Sequence, residues 1–158
     1  MTDITPGFEP DRPVLSVMRR MRPDEMDTAI TAEVHRLRDV AASSGLAATG
    51  DPFGVFHGPV TTELDGPLEI ALPVDGLASI EGEVRSYRLP GGLMANRHAE
   101  GPETWFPDIL AVYDEVHSWI TEHGGTPVGP PREQWHNAPT DPQPLRLTIS
   151  WPYPVAPT

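Results

Sequence analysis

The sequence contains no cysteine. Disulfides, thiolate catalysis and zinc–thiolate sites are therefore excluded, and a reducing cytoplasm is the expected location. Positive charge is also scarce. Lys and Arg together number 11 against 23 Asp and Glu, for a formal net charge of −12. Such a surface repels phosphate backbones, and no basic cluster opposes it, so direct nucleic-acid binding is not expected. No apolar run approaches the roughly 20 residues needed to cross a bilayer, so no membrane partner is expected. Met1 to Pro6 lack the basic and apolar regions of a signal peptide. The six histidines show no zinc-ligand spacing. Pro90-Gly91-Gly92 does not open a helix, so it is not a phosphate loop, and no serine-triad signature is present. Neither a metal nor a cofactor is expected.

Proline and glycine, by contrast, are abundant, at 20 and 14 residues. They fall between periodic segments and mark rigid turns. The 158 residues fit one domain, 1–158, with enough chain to bury a core. Residues 1–12 read as a polar lead, with Phe8 a candidate to tuck onto the body. Val14 to Met21 reads as a strand. Pro23, Asp24 and Glu25 suit a helix start, and Met26, Ile30, Val34, Leu37 and Ala41 mark one helix face, ending at Ser43-Ser44-Gly45. Further strands are predicted at Phe53 to His57, Leu68 to Leu72, Val84 to Leu89, Leu93 to His98 and Leu145 to Ile149. A Pro-rich surface tail is predicted from Trp151.

Between Gly101 and His136 the pattern is richest. Phe106, Ile109, Tyr113, Val116 and Ile120 share one helix face, which Trp105, Val112 and Trp119 widen. Gly124-Gly125 is a helix stop of the left-handed kind. In the strand that follows, Glu133 and Trp135 lie two apart and point to one side. A shift of 79 superposes Pro23 on Pro102, Ile30 on Ile109, Gly45 on Gly124, Pro52 on Pro131 and His57 on His136. The whole strand–helix–strand–strand order recurs without a gap, as units of about 13–79 and 83–155. Phe56 then matches Trp135, and Gly54 matches Glu133. The expected fold is α+β. Two pseudo-symmetric halves set their sheets edge to edge, with both helices on one side and a ligand cleft along the pseudo-axis.

These pieces resemble the GyrI-like small-molecule-binding domain, also found fused to AraC-type and MerR-type regulators. The resemblance rests on Leu89 to Ala95, Gly101 leading into the helix, Tyr113, Ser118-Trp119-Ile120, Arg132 to Trp135 and Ile149 to Pro152. In the first half it rests on Gly45, Phe53 to His57 and Glu69 to Val74. It covers about Val14 to Val155. It implies an aromatic cleft with a buried glutamate that attracts cationic, lipophilic ligands, with Glu133 at the matching position. The family more often has Tyr where this chain has Trp135. A chain of this length has no room for a DNA-binding domain, so a stand-alone member is expected. Some stand-alone members resemble hydrolases that open strained cyclopropane rings in DNA-alkylating natural products, and multidrug binding and drug resistance are expected contexts for this chain.

The candidate ligand-binding residues are Phe56, Trp105, Phe106, Glu133, Trp135 and Trp151. Glu133 has a plainer reading, a solvated carboxylate paired with Arg132 or Arg146, and each ring has one in ordinary core packing. Trp119, mid-helix, favours the core. His57 and His136 favour structural roles. If the protein binds only, it takes up aromatic, often cationic small molecules for sequestration or sensing. If it is an enzyme, Glu133 positions or activates water while Trp135 and Phe56 clamp a planar substrate. A weaker third reading is a gyrase-inhibitor-like protein-interaction module.

Overall fold

The computed structural model describes residues 3–61 and 65–154. Its elements run β1 (Ile4–Glu9), β2 (Arg12–Met21), α1 (Met26–Ser43), β3 (Phe53–Phe56) and β4 (Gly66–Pro73), then β5 (Arg85–Leu89), β6 (Gly92–Glu100), α2 (Ile109–Glu122), β7 (Arg132–Trp135) and β8 (Arg146–Pro152). Short 3-10 turns at Pro23–Glu25 and Gly101–Thr104 lead into the helices. The fold is α+β, with one antiparallel sheet ordered β1-β6-β8-β7-β3-β4-β2-β5.

That order reads as two four-strand halves meeting at β7 and β3. The sheets of the two halves meet edge to edge as one continuous sheet, because β3 and β7 are hydrogen-bonded in register, with Gly54 opposite Glu133. These two residues are equivalent under the 79-residue shift, so the pseudo-two-fold axis passes between them. The repeat is not gap-free, however. Val17 pairs with Ile70 and Arg97 with Ile149. Ile70 and Ile149 are 79 apart, whereas Val17 and Arg97 are 80 apart. The first half therefore carries one extra residue between β2 and its helix.

The polar lead is in fact strand β1, paired with β6. Its counterpart β5 pairs with β2. Each edge strand thus completes the other half's sheet. Such a long-range ladder leaves no local signal in a segment containing Pro6 and Gly7. Phe8 is 77% exposed and does not tuck in. Trp151 and Pro152 finish strand β8 rather than starting a surface tail, and residues 155–158 lie outside the described residues.

Both helices end as the glycines predict. Gly45 and Gly124 have φ of 71° and 78°. The Leu46 N–H donates to Ala41 O and the Gly125 N–H to Ile120 O, at 2.9 Å each, closing the same capping motif twice. The start of α2 differs from expectation. The helix begins at Ile109, and Trp105 and Phe106 lie before it. Pro107 explains this, because a proline disfavours helical backbone at the residue before it.

Ile30, Leu37 and Ala41 of α1 and Ile109, Val112, Val116 and Ile120 of α2 pack on one sheet face with Leu15, Val17, Leu68, Ile70, Leu72, Leu147 and Ile149. Burying each such side chain contributes about 1.5–3 kcal/mol. On the opposite face a smaller cluster joins Val14, Phe53, Val55, Ala71 and Leu89. α1 packs over β2 and β4 and α2 over β6 and β8, and the central strands β3 and β7 contribute Phe56, Glu133 and Trp135 to the gap between the helices.

Candidate functional site

That gap is a cleft of about 1220 Å³. Met26 and Ile30 of α1 face Ile109, Leu110 and Tyr113 of α2 across it. The connections after β3 and β7 add residues 57–60, Pro139 and residues 141–145 to its lining. Phe56, Trp105, Phe106, Glu133, Trp135 and Trp151 all line it. Trp105 is 62% exposed at the mouth. The Phe56 ring meets Tyr113 edge-on at 6.4 Å, and Trp151 meets Tyr113 edge-on at 6.1 Å. The Trp151 indole N–H donates to Gly129 O at 3.2 Å. Trp119 lies outside the cleft, stacked on His123.

Glu133 is 5% exposed, on the floor. The strand period puts it on the helix side and sends Arg132 to the far side, where Arg132 donates to Pro90 O at 2.7 Å. Among the described residues no ion pair involves Glu133, so the partners expected of a solvated carboxylate are not its neighbours here. Two hydrogen-bond donors meet it. The Tyr113 hydroxyl donates to Oε2 from α2. The Trp135 indole N–H donates to Oε1 at 3.3 Å. Burial pushes the carboxyl up to about 7, against the opposing pull of these two bonds. The same burial and the nearby carboxylate hold the Tyr113 hydroxyl well above its ordinary value. Near neutral pH the floor therefore exists both as neutral acid and as buried anion.

Trp135 is 3% exposed. It forms the floor beside Glu133 and shares a small second cavity with Ile30 and Val34. Where a tyrosine would bring a hydroxyl, the indole N–H serves instead, and Tyr113 brings a hydroxyl from the opposite wall. Tyr113 reads in the sequence only as a helix-face residue; its role depends on how α2 sits over β7.

Arg97 is a further residue the sequence reading missed. It is 3% exposed on β6. Its guanidinium binds Glu103 at 2.8 Å and Glu115 at 3.1 Å, tying the turn before α2 and the helix itself to the sheet. An arginine on the alternating face of Leu93, Ala95 and Ala99 was the available signal.

The two pseudo-equivalent histidines have structural partners. His57 Nε2 lies 2.8 Å from Glu69 Oε1. His136 bridges Asp51 at 2.9 Å and Thr148 at 2.8 Å. Glu69, on the far face, is the second buried glutamate. Burial pushes its carboxyl up, but hydrogen bonds from Tyr87 and His57 more than offset this and hold it below its ordinary value.

A family model described as the GyrI-like small molecule binding domain matches residues 8–154. None of the curated proteins matches the chain. Among solved structures, the EcmrR C-terminal domain is similar, with a TM-score of 0.81 at 17% identity over 99% of both chains. In the EcmrR–DNA complex the TM-score is 0.79 at 16% identity; 96% of this chain is covered, but it spans only 57% of that one. A hydrolase from Listeria innocua has a TM-score of 0.68 at 14% identity, covering 96% of this chain and 92% of its own. A protein solved with tetraphenylphosphonium bound has a TM-score of 0.57 at 15% identity, covering 96% and 94%. At these identities the likeness carries the fold.

Proposed function

The chain belongs to the GyrI-like small molecule binding domain family, and from that premise we propose that its cleft takes up aromatic, lipophilic, cationic molecules, for sequestration or sensing. We read residues 1–158 as one such domain with units of about 13–79 and 83–155. The observation that carries the proposal is Glu133, a buried carboxyl that meets donors but no cation. Ionising it in an empty cleft costs free energy, and an arriving cation lowers that cost. The lining adds to this bias. Asp24, Asp27 and Asp141 line the cleft with Glu133, and none of the described lining residues is Lys or Arg. Phe56, Tyr113, Trp151 and Trp105 offer ring faces and edges, and a cation over such a ring gains about 0.5–2 kcal/mol. The neighbour bound to tetraphenylphosphonium is in keeping with this reading.

Tetraphenylphosphonium is thus a suitable probe. Wild type should bind it at least about tenfold more tightly than Glu133→Gln at pH 8, since removing one partner of a buried charge pair is costly. Affinity should climb as pH rises through about 7, where Glu133 ionises. Equal affinity of both proteins in a calorimetric titration removes the charge-selection argument.

A second reading is favoured by the same carboxyl. A carboxyl raised to about 7 is part ionised at neutral pH, and its carboxylate form can accept a proton from water. Glu133 would then position or deprotonate water that adds to the strained carbon of a cyclopropane-bearing DNA alkylator. The ring carbon–carbon bond opens as the carbon–oxygen bond forms, its electron pair passes to the other ring carbon and the conjugated system attached to it, and the proton that Glu133 took from water returns there. Trp135 and Phe56 would clamp the planar substrate. The Listeria innocua hydrolase lends this reading a fold precedent only. Incubation with such an alkylator should yield a product heavier by one water on mass analysis, and recovery of unchanged compound counts against hydrolysis.

A further inference from the structure

Gly54 and Glu133 face each other at the pseudo-axis, at equivalent places in the two repeats. One carries a carboxylate and the other no side chain. The backbone does not require glycine there, since Gly54 is not among the glycines with positive φ. The requirement is spatial. A Cβ at Gly54 would lie 2.7 Å from Cη2 of Trp135, 2.8 Å from its Cζ2 and 2.8 Å from Cδ1 of Leu68. All three separations are well inside contact distance. The Leu68 methyl ends a flexible side chain and can yield. The indole is a rigid plate, buried, with its N–H already donated to Glu133.

We propose that Gly54 is a positioning residue of the cleft, whose missing side chain seats the Trp135 indole across the pseudo-axis and so aims its N–H at Glu133. Its consequence for binding rests on the small-molecule reading above, while its geometry belongs to the ligand-free protein. The duplication provides two equivalent places for a floor side chain. The ring of one repeat fills the space of the other's, and the floor keeps a single carboxylate with an indole donor. A carboxylate at position 54 would have to expel the ring and would stand directly opposite a like charge.

Pushing the indole aside takes one donor from Glu133 and leaves Tyr113. The ionised carboxylate is then less favoured, and its titration moves upward. The test compares wild type, Gly54→Ala, Trp135→Leu and the double variant. It reads the Glu133 carboxyl titration by NMR, near-ultraviolet circular dichroism of the indoles, and tetraphenylphosphonium affinity. Gly54→Ala should raise the titration midpoint, alter the indole signal and weaken binding at pH 7 by about three- to tenfold. Adding it to Trp135→Leu should change affinity by less than about twofold, because the clashing ring is gone. A Gly54→Ala protein that fails to fold, beside a double variant that folds, reports the same coupling.

The proposal is overturned if Gly54→Ala leaves the midpoint and indole signal unchanged. It is equally overturned if the substitution costs as much in the Trp135→Leu background, or if neither Gly54→Ala nor the double variant folds, for the glycine then serves the backbone or Leu68 alone. If no protein binds tetraphenylphosphonium, the cation reading of the cleft fails, and the titration arm still decides the role of Gly54.

Discussion

Glu133 and Glu69 are both buried glutamates, one on each face of the sheet, and they titrate in opposite directions. Glu133 goes from an ordinary 4.5 to about 7 on folding. Between those values the folded protein binds more protons than the unfolded chain, so stability falls as pH rises. Across the window the loss is roughly 3 kcal/mol. Glu133→Gln should therefore stabilise the ligand-free protein at pH 8 by about 2 kcal/mol, or ~6 °C in Tm, with little change at pH 4. Thermal unfolding at the two pH values checks this. Glu69 works the other way. Its lowered folded value stabilises the protein above 4.5, and that contribution fades as pH falls through the folded value. Glu69→Gln should destabilise at neutral pH in the same assay. The period of two in a strand makes the shared face of Glu133 and Trp135 legible in the sequence. It says nothing of Tyr113, whose hydroxyl reaches Glu133 from another element.

Glycine serves the elements in two physically different ways. Gly124 and Gly45 stop their helices at positive φ, and a Cβ at either would meet nothing within 4 Å. Their cost of substitution is purely conformational. Gly124→Ala and Gly45→Ala should each lose about 1–2 kcal/mol in denaturant unfolding, with cleft binding intact. Gly54 has ordinary strand backbone and no room. The two helix stops were legible because left-handed capping is a local preference. The space at Gly54 was not, since it depends on a ring carried by the other repeat. The same limit applies to β1, whose ladder partner is β6, and to the first turn of α2. There the aromatic periodicity suggested a helix from Trp105, but Pro107 delays it to Ile109.

At the scale of the whole molecule, a net charge of −12 surrounds a cleft with no Lys or Arg among its described lining residues. On the proposed reading a cation would be drawn in by a field that salt screens, and would then meet a carboxyl that salt screens much less. Raising ionic strength should slow tetraphenylphosphonium association and leave dissociation nearly unchanged, as stopped-flow measurement would show. Probe held at about 100 times its pH 7 Kd should raise stability by ~2.7 kcal/mol at that pH, and at the same concentration by more above pH 7 than below it. The sequence by itself determined the α+β class, the duplication, both helix stops and the face on which Glu133 lies, because each follows from local preference or from the period of one element. Tertiary structure alone decided that the halves share a single sheet with exchanged edge strands, and that Tyr113 and Trp135 converge on one buried carboxyl. Those are pairings between residues far apart in the chain, fixed only when the helices settle over the strands.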